Sequence, residues 1–91
     1  MISISKLVND FNLSHDQFVK LTDQQIDILW YISIFGSISP MEAFSKLGVT
    51  KLSTRISEMK VLGIQFEQEY ESHVNQFGKI VRYMRYRKAA A

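Results

Sequence analysis

Ninety-one residues, 46% of them hydrophobic, can enclose one small core but not two. The absence of cysteine removes disulfides and thiolate metal sites, and no apolar run approaches the ~20 residues of a membrane span. A net charge of +2 is too small to imply nucleic acid by its size. Its distribution says more. Residues 1–63 carry six basic and six acidic side chains, residues 64–78 hold Glu67, Glu69 and Glu71 with no Lys or Arg, and residues 79–91 hold Lys79, Arg82, Arg85, Arg87 and Lys88 with no acid. The opening "MISISKLVNDF" does not read as a secretory signal, because Lys6, Asn9 and Asp10 interrupt its apolar segment. A soluble, cytoplasmic protein is expected.

"SISKLVNDF" and "SHDQFVKL" each span about two helical turns, with Ser3 or Ser5 and then Ser14 as N-caps. Leu7, Val8, Phe11, Leu13, Phe18, Val19 and Leu21 give them apolar faces that can pack on the rest of the chain or on a partner subunit. "LTDQQIDILWYISIFG" is a stronger helix. Thr22 or Asp23 caps it, Gln25 completes a capping box with Thr22, and Gly36 ends it. Ile26, Leu29, Trp30 and Ile34 share one stripe, which makes Trp30 a core residue rather than a ligand platform. "SIS" after Gly36 is long enough for a brief strand.

Ser39, Pro40 and Glu42 then supply cap, first helical position and capping box for a helix with Ala43, Phe44 and Leu47 on its apolar side, stopped by Gly48. The next helix is expected over 51–62 with Thr50 as its cap. Leu52, Ile56 and Met59 form its buried line, while Ser53, Thr54, Ser57, Glu58 and Val61 point away, with Lys51 and Lys60 near the two ends. Beyond Gly63 the period changes to two. Ile64, Phe66 and Tyr70 lie on one side of a half-buried strand and Gln65, Glu67, Glu69 and Glu71 on the other, Gln68 being the exception. "SHVNQFGK" is a loop, "IVRYMRYR" the returning strand, and the 72–79 loop is expected to project. Phe77 can stand as an exposed apolar contact or fold back onto the core, and the second is favoured.

Helix, short strand, helix, turn, helix, strand, loop, strand is the order of a winged helix-turn-helix: an α+β fold, mainly α, with a two-stranded hairpin as the wing. At residues 22–87 the sequence also resembles small winged helix-turn-helix domains of bacteriophages and prophages, through "LTDQQIDIL", "GSISPMEAFSKLGV", "LSTRISEMKVLGI" and "FGKIVRYMRYR". The expected organisation is an N-terminal helical extension over 1–21, the winged domain over 22–88 and a disordered tail over 89–91. One departure stands out: Thr54 occupies the place, six residues after Gly48, where the compact motif has an apolar residue. A turn longer by a residue or two is therefore expected, and contact positions come from the helical wheel rather than from counting.

Such a fold places the second helix of the pair in the major groove, its N-terminal end leading. The candidates for DNA contact are Thr50, Lys51, Ser53, Thr54 and Ser57, with Lys60 at a phosphate. Their hydroxyls pair with several bases, so no base preference follows. In the wing, Lys79 and Arg82 are favoured, with His73, Asn75 and Gln76 as further candidates for phosphate or minor-groove contact. Arg55 can reach a phosphate or guanine, or tie the helices by pairing with Glu42 or Glu58, and its angle near the core favours the pair. Arg85 and Arg87 have cross-strand pairing with the glutamates as their alternative to DNA. The acidic strand face keeps the hairpin from lying flat on a duplex.

His15 and His73 show no spacing for a metal pair or a nucleophile and base, and there is no glycine-rich phosphate loop. Neither catalysis nor a cofactor or metal is expected. The reading is a sequence-specific double-stranded DNA-binding protein, a small phage or prophage regulator of transcription or a recombination accessory factor, acting as a homodimer through its N-terminal helices or along adjacent sites. The alternative is a winged-helix module that binds another protein to inhibit or recruit it.

Overall fold

The computed structural model describes residues 4–89. Five helices, α1 (Ile4–Phe11), α2 (His15–Val19), α3 (Asp23–Phe35), α4 (Pro40–Leu47) and α5 (Leu52–Val61), precede strands β1 (Phe66–Val74) and β2 (Ile80–Lys88), which pair antiparallel. This is the mainly helical winged arrangement expected. Ser14, Thr22 and Ser39 each accept from the amide three residues on, while Gln17, Gln25 and Glu42 reach back to the cap, so α2, α3 and α4 all begin with complete capping boxes. Ser5 lies inside α1 and is not its cap. The other candidate, Ser3, lies outside the described residues, as do residues 90 and 91 of the expected tail.

The core is a cluster of Leu7, Phe11, Leu13, Ile28, Leu29, Tyr31, Ile32, Ile38, Ala43, Val49, Leu52, Ile56, Met59, Ile64 and Tyr86, so every helix but the short α2 sends a side chain into it. The N-terminal segment shares this core. Phe11 meets Phe66 with ring centroids 5.9 Å apart, and the Gln17 side-chain amide donates to the Leu62 carbonyl at the end of α5 (3.0 Å). Several side chains expected inside are outside: Val19, Ile34, Phe44 and Tyr70 are exposed. In α3 the buried face is Ile28, Leu29, Tyr31 and Ile32, with Ile26 and Trp30 only partly covered. This helix is apolar nearly all round and touches α1, α4, α5 and β2, so periodicity does not single out one buried stripe. Phe44 points away because Ala43 is the residue of α4 that meets the core.

The hairpin differs from the expected loop on two short strands. Each strand has nine residues, β1 runs through Ser72, His73 and Val74, and only 75–79 form the turn. About 30 Å of strand results, which accounts for much of the molecule's 47 Å long axis. Its base is held from two directions. Ile38 pairs through both backbone groups with Tyr86 (2.8 and 2.9 Å), adding one residue of a third strand beside β2, where the "SIS" strand was expected. Arg85 donates to Glu42 (2.9 Å) and Ser37 (2.9 Å) on one side and to Glu71 (2.7 Å) on the other, tying β2 to the start of α4 and to β1.

Two outcomes follow from this packing. Ile56→Ala should cost about 2–5 kcal/mol of stability in urea unfolding, because Ile56 is fully enclosed, whereas Phe44→Ala should stay within about 0.5 kcal/mol. Equal effects would contradict the burial pattern. The second concerns acid. The hydrogen bond from Tyr83, opposed by burial and reinforced by Arg85, holds Glu71 below its ordinary 4.5. At Asp10 burial pushes upward, but Lys6, together with Ser33 and Lys88, outweighs it and the group again lies below its ordinary value. Carboxylates with lowered native pKa values stabilise the fold above their unfolded pKa and lose that contribution as pH falls through the native value. The melting temperature should therefore fall below about pH 4.5, and Glu71→Gln should lower it at pH 7 while reducing its drop in acid. An unaltered acid profile in that variant would assign the drop to other carboxylates.

Candidate nucleic-acid interface

Four residues, 48–51, separate α4 from α5. Gly48 turns the chain with φ 70°, a left-handed conformation that costs glycine nothing, and Val49 anchors the turn in the core. The helix starts one residue later than expected, at Leu52. Lys51 stands at the cap position with no side-chain hydrogen bond, and Thr50 precedes it, so Thr50 is not the cap. The α5 N-terminus thus has its amide groups uncapped by any side chain, unlike α2, α3 and α4.

Leu52, Ile56 and Met59 are buried, and Thr50, Lys51, Ser53, Thr54, Ser57 and Lys60 are all exposed, so the candidates on this helix share its outer side. Glu58 would spoil that face for an anion, but its carboxylate is engaged. It accepts from Arg55 (2.9 Å) and from the buried Gln25 side chain of α3 (3.0 Å). Arg55 is accordingly a strut between turns of α5, paired with Glu58 as its angle near the core favours.

The strand register sorts the hairpin into two faces, because directly paired residues project to the same side. One face carries Glu67, Glu69, Glu71 and His73 with Arg87, Arg85, Tyr83 and Val81. There Arg87 pairs with Glu69, Arg85 with Glu71 and Tyr83 with Glu71, so these two glutamates are engaged within the sheet. The other face carries Phe66, Gln68, Tyr70, Ser72 and Val74 with Lys88, Tyr86, Met84, Arg82 and Ile80, and has no carboxylate. Lys60 of α5 donates to Gln68 on this second face, which makes it the side continuous with α5.

The sequence candidates therefore separate. Lys60 and Arg82 share the acid-free side. Lys79 ends the turn just before β2. Lys51, Lys79 and Arg82 form no ion pair and no side-chain hydrogen bond among the described residues, whereas Arg55, Arg85 and Arg87 are each held by a carboxylate. Arg85 is a bolt of the fold, already bonded to three acceptors. Asn75 is engaged too, its side-chain oxygen accepting from the amides of Phe77 (2.9 Å) and Lys79 (3.1 Å). His73 lies not in a loop but on β1, against Tyr83 with ring centroids 5.7 Å apart. Gln76 is exposed in the turn. Phe77, expected to fold back, is exposed at the tip. Gln68 and Tyr70 on the α5 side were not singled out from sequence, although the polar Gln68 breaking the apolar alternation marks where the strand leaves the core.

Among the described residues no cluster of His, Cys, Asp or Glu is placed to hold a metal ion, and no helix is long and apolar enough to cross a membrane. No curated protein and no solved structure matches the chain. A family model does: that of the winged helix-turn-helix domain, over residues 23–88, from the first residue of α3 to the last of β2. The chain belongs to the winged helix-turn-helix family.

Proposed function

We propose that this chain is a sequence-specific double-stranded DNA-binding protein, a small cytoplasmic regulator of phage or prophage origin that acts on transcription or assists recombination. The observation that carries the reading is the division of its cations. Lys51, Lys79 and Arg82 have no carboxylate partner among the described residues, and Arg82 and Lys60 lie on the acid-free side, while the arginines nearest the glutamates are neutralised. A free Lys51 at an uncapped helix N-terminus and free cations on the hairpin tip suit a polyanion.

In this reading residues 22–88 are the binding unit and 1–21 an extension of it. The α5 helix enters the major groove N-terminus first, with Thr50, Lys51, Ser53 and Thr54 leading and Ser57 behind them at base edges. Lys60 meets a phosphate. The hairpin tip, through Gln76, Lys79 and Arg82, reaches the neighbouring backbone. Binding needs no cofactor or metal and involves no catalysis. Two copies on adjacent half-sites would supply the affinity one module lacks. The exposed sides of α1 and α2, with Ile4 and Val19, are where a homodimer would form, since Leu7 and Phe11 are spent on the chain's own core. A second reading, docking of another protein, draws on Met41 and Phe44, which project from α4 into solvent.

The decisive measurement is fluorescence anisotropy with random-sequence duplex, titrated against salt. If Lys51, Lys60, Lys79 and Arg82 each neutralise one phosphate, affinity should fall about a hundredfold from 50 to 200 mM salt. The Lys51→Glu/Lys79→Glu variant should bind far more weakly, with a shallower salt dependence. Absence of binding at low salt by folded protein would sink the reading and leave protein docking in its place.

A further inference from the structure

The hairpin tip combines two properties that are usually kept apart. It is apolar: Val74, Phe77 and Ile80 are 65%, 77% and 70% exposed. It is also cationic and free of acid, since no Asp or Glu follows Glu71 in the sequence, while Lys79 and Arg82 do. Val74 and Ile80 are directly opposite one another on the face continuous with α5, and the Ser72–Arg82 pair comes next on that same face. Phe77 sits in the turn that joins them.

The turn is built to hold its shape. Asn75 gathers the amides of Phe77 and Lys79 on its side-chain oxygen, its own amide donates to the Lys79 carbonyl (2.8 Å), and its carbonyl accepts from Gly78 (3.0 Å). Gly78 takes φ 76°, which a side chain would strain. A large aromatic ring is thus presented on a braced turn, at the far end of a hairpin whose base is fixed by Arg85 and the Ile38–Tyr86 bridge. Isolated surface apolar residues need no explanation, but a rigidly carried apolar point flanked by cations does.

We propose that Phe77 is a wedge: resting on the DNA-binding reading above, the tip enters the minor groove, Phe77 inserts between two base pairs, and the duplex bends. The charge complementarity is direct. Lys79 and Arg82 follow the apolar point in the chain and meet the phosphates that flank the opened step, while Val74 and Ile80 cover the groove edge of the unstacked bases. Insertion should favour pyrimidine–purine steps such as TA and CA/TG, which unstack most readily. Bending would then let α5 and the tip contact the DNA together.

The test uses the full chain and a mixed-sequence duplex of about 40 base pairs, rich in TA and CA/TG steps, with a fluorophore at each end. Anisotropy reports binding and energy transfer between the ends reports bending. Wild type should bind and bring the ends closer. Phe77→Ala should bind about tenfold more weakly and, at saturation, leave the ends as far apart as in free duplex. Phe77→Leu, still a wedge, should restore much of the bend. Binding by wild type with no change in end-to-end distance overturns the wedge and leaves DNA binding standing, as does an equal bend with Phe77→Ala. Failure of folded wild type to bind the duplex overturns both, and flotation with anionic phosphatidylserine vesicles would then assign the tip to a lipid surface.

Discussion

The guanidinium of Arg85 is the hinge-pin of this molecule. A half-buried cation is costly unless its donors are satisfied, and here carboxylates from two different elements satisfy it, Glu42 of α4 and Glu71 of β1, with the Ser37 hydroxyl between the helices as a third acceptor. Glu42 serves twice, since the same side chain closes the capping box of α4 by accepting from the Ser39 amide (2.9 Å). The start of the helix pair and the base of the hairpin are therefore set by one network. The base of the hairpin is tied to the start of α4 there, while α5 meets the hairpin separately, through Lys60 and Gln68.

That arrangement explains how a chain with three glutamates in one strand can leave a cationic side open. Strand alternation puts Glu67, Glu69 and Glu71 on one face, and the register supplies that face with Arg85 and Arg87. The same alternation sends Arg82 to the opposite face, where its cross-strand neighbour is Ser72. Net charge is nearly silent about this. Pairing within the fold cancels some cations and leaves others.

The elements legible in the sequence were those whose causes are local. The capping boxes Thr22–Gln25 and Ser39–Glu42 need only a hydroxyl and an amide or carboxylate three residues apart, and both formed as spaced, while the Ser14 cap proved to have Gln17 as the partner of a third box. The line Leu52, Ile56 and Met59 was legible because α5 buries one narrow stripe. What failed depended on partners far along the chain. The apolar wrap of α3 gave no stripe to choose, since four elements press on it. The hairpin's length was hidden because hydropathic alternation fades once strands leave the core: Tyr70, Val74 and Ile80 look like inward residues and have nothing to face. The same loss hid the exposure of Phe77. Of the candidate site, the side chains on α5 were read correctly as outward, but which arginines are consumed by ion pairs follows from a register that spacing alone does not define.

The outer side of α5 offers short hydroxyls with a lysine near each end, and such groups discriminate bases weakly and hold phosphates less strongly than arginine. A helix of this composition would not by itself hold a duplex tightly. The hairpin has the complementary endowment, with unpaired cations and a large exposed ring but few groups able to read base edges. On the proposed function the two parts have separate roles. The hairpin supplies grip and deformation, and α5 samples the groove so presented. Specificity would then come in good part from how easily a sequence bends at the tip, added to what the hydroxyls of α5 can read, because a deformation cost varies with sequence even where no side chain touches a base. On that proposal the recognition of a site would lie partly outside the recognition helix, at the far end of a hairpin whose base Arg85 ties to α4.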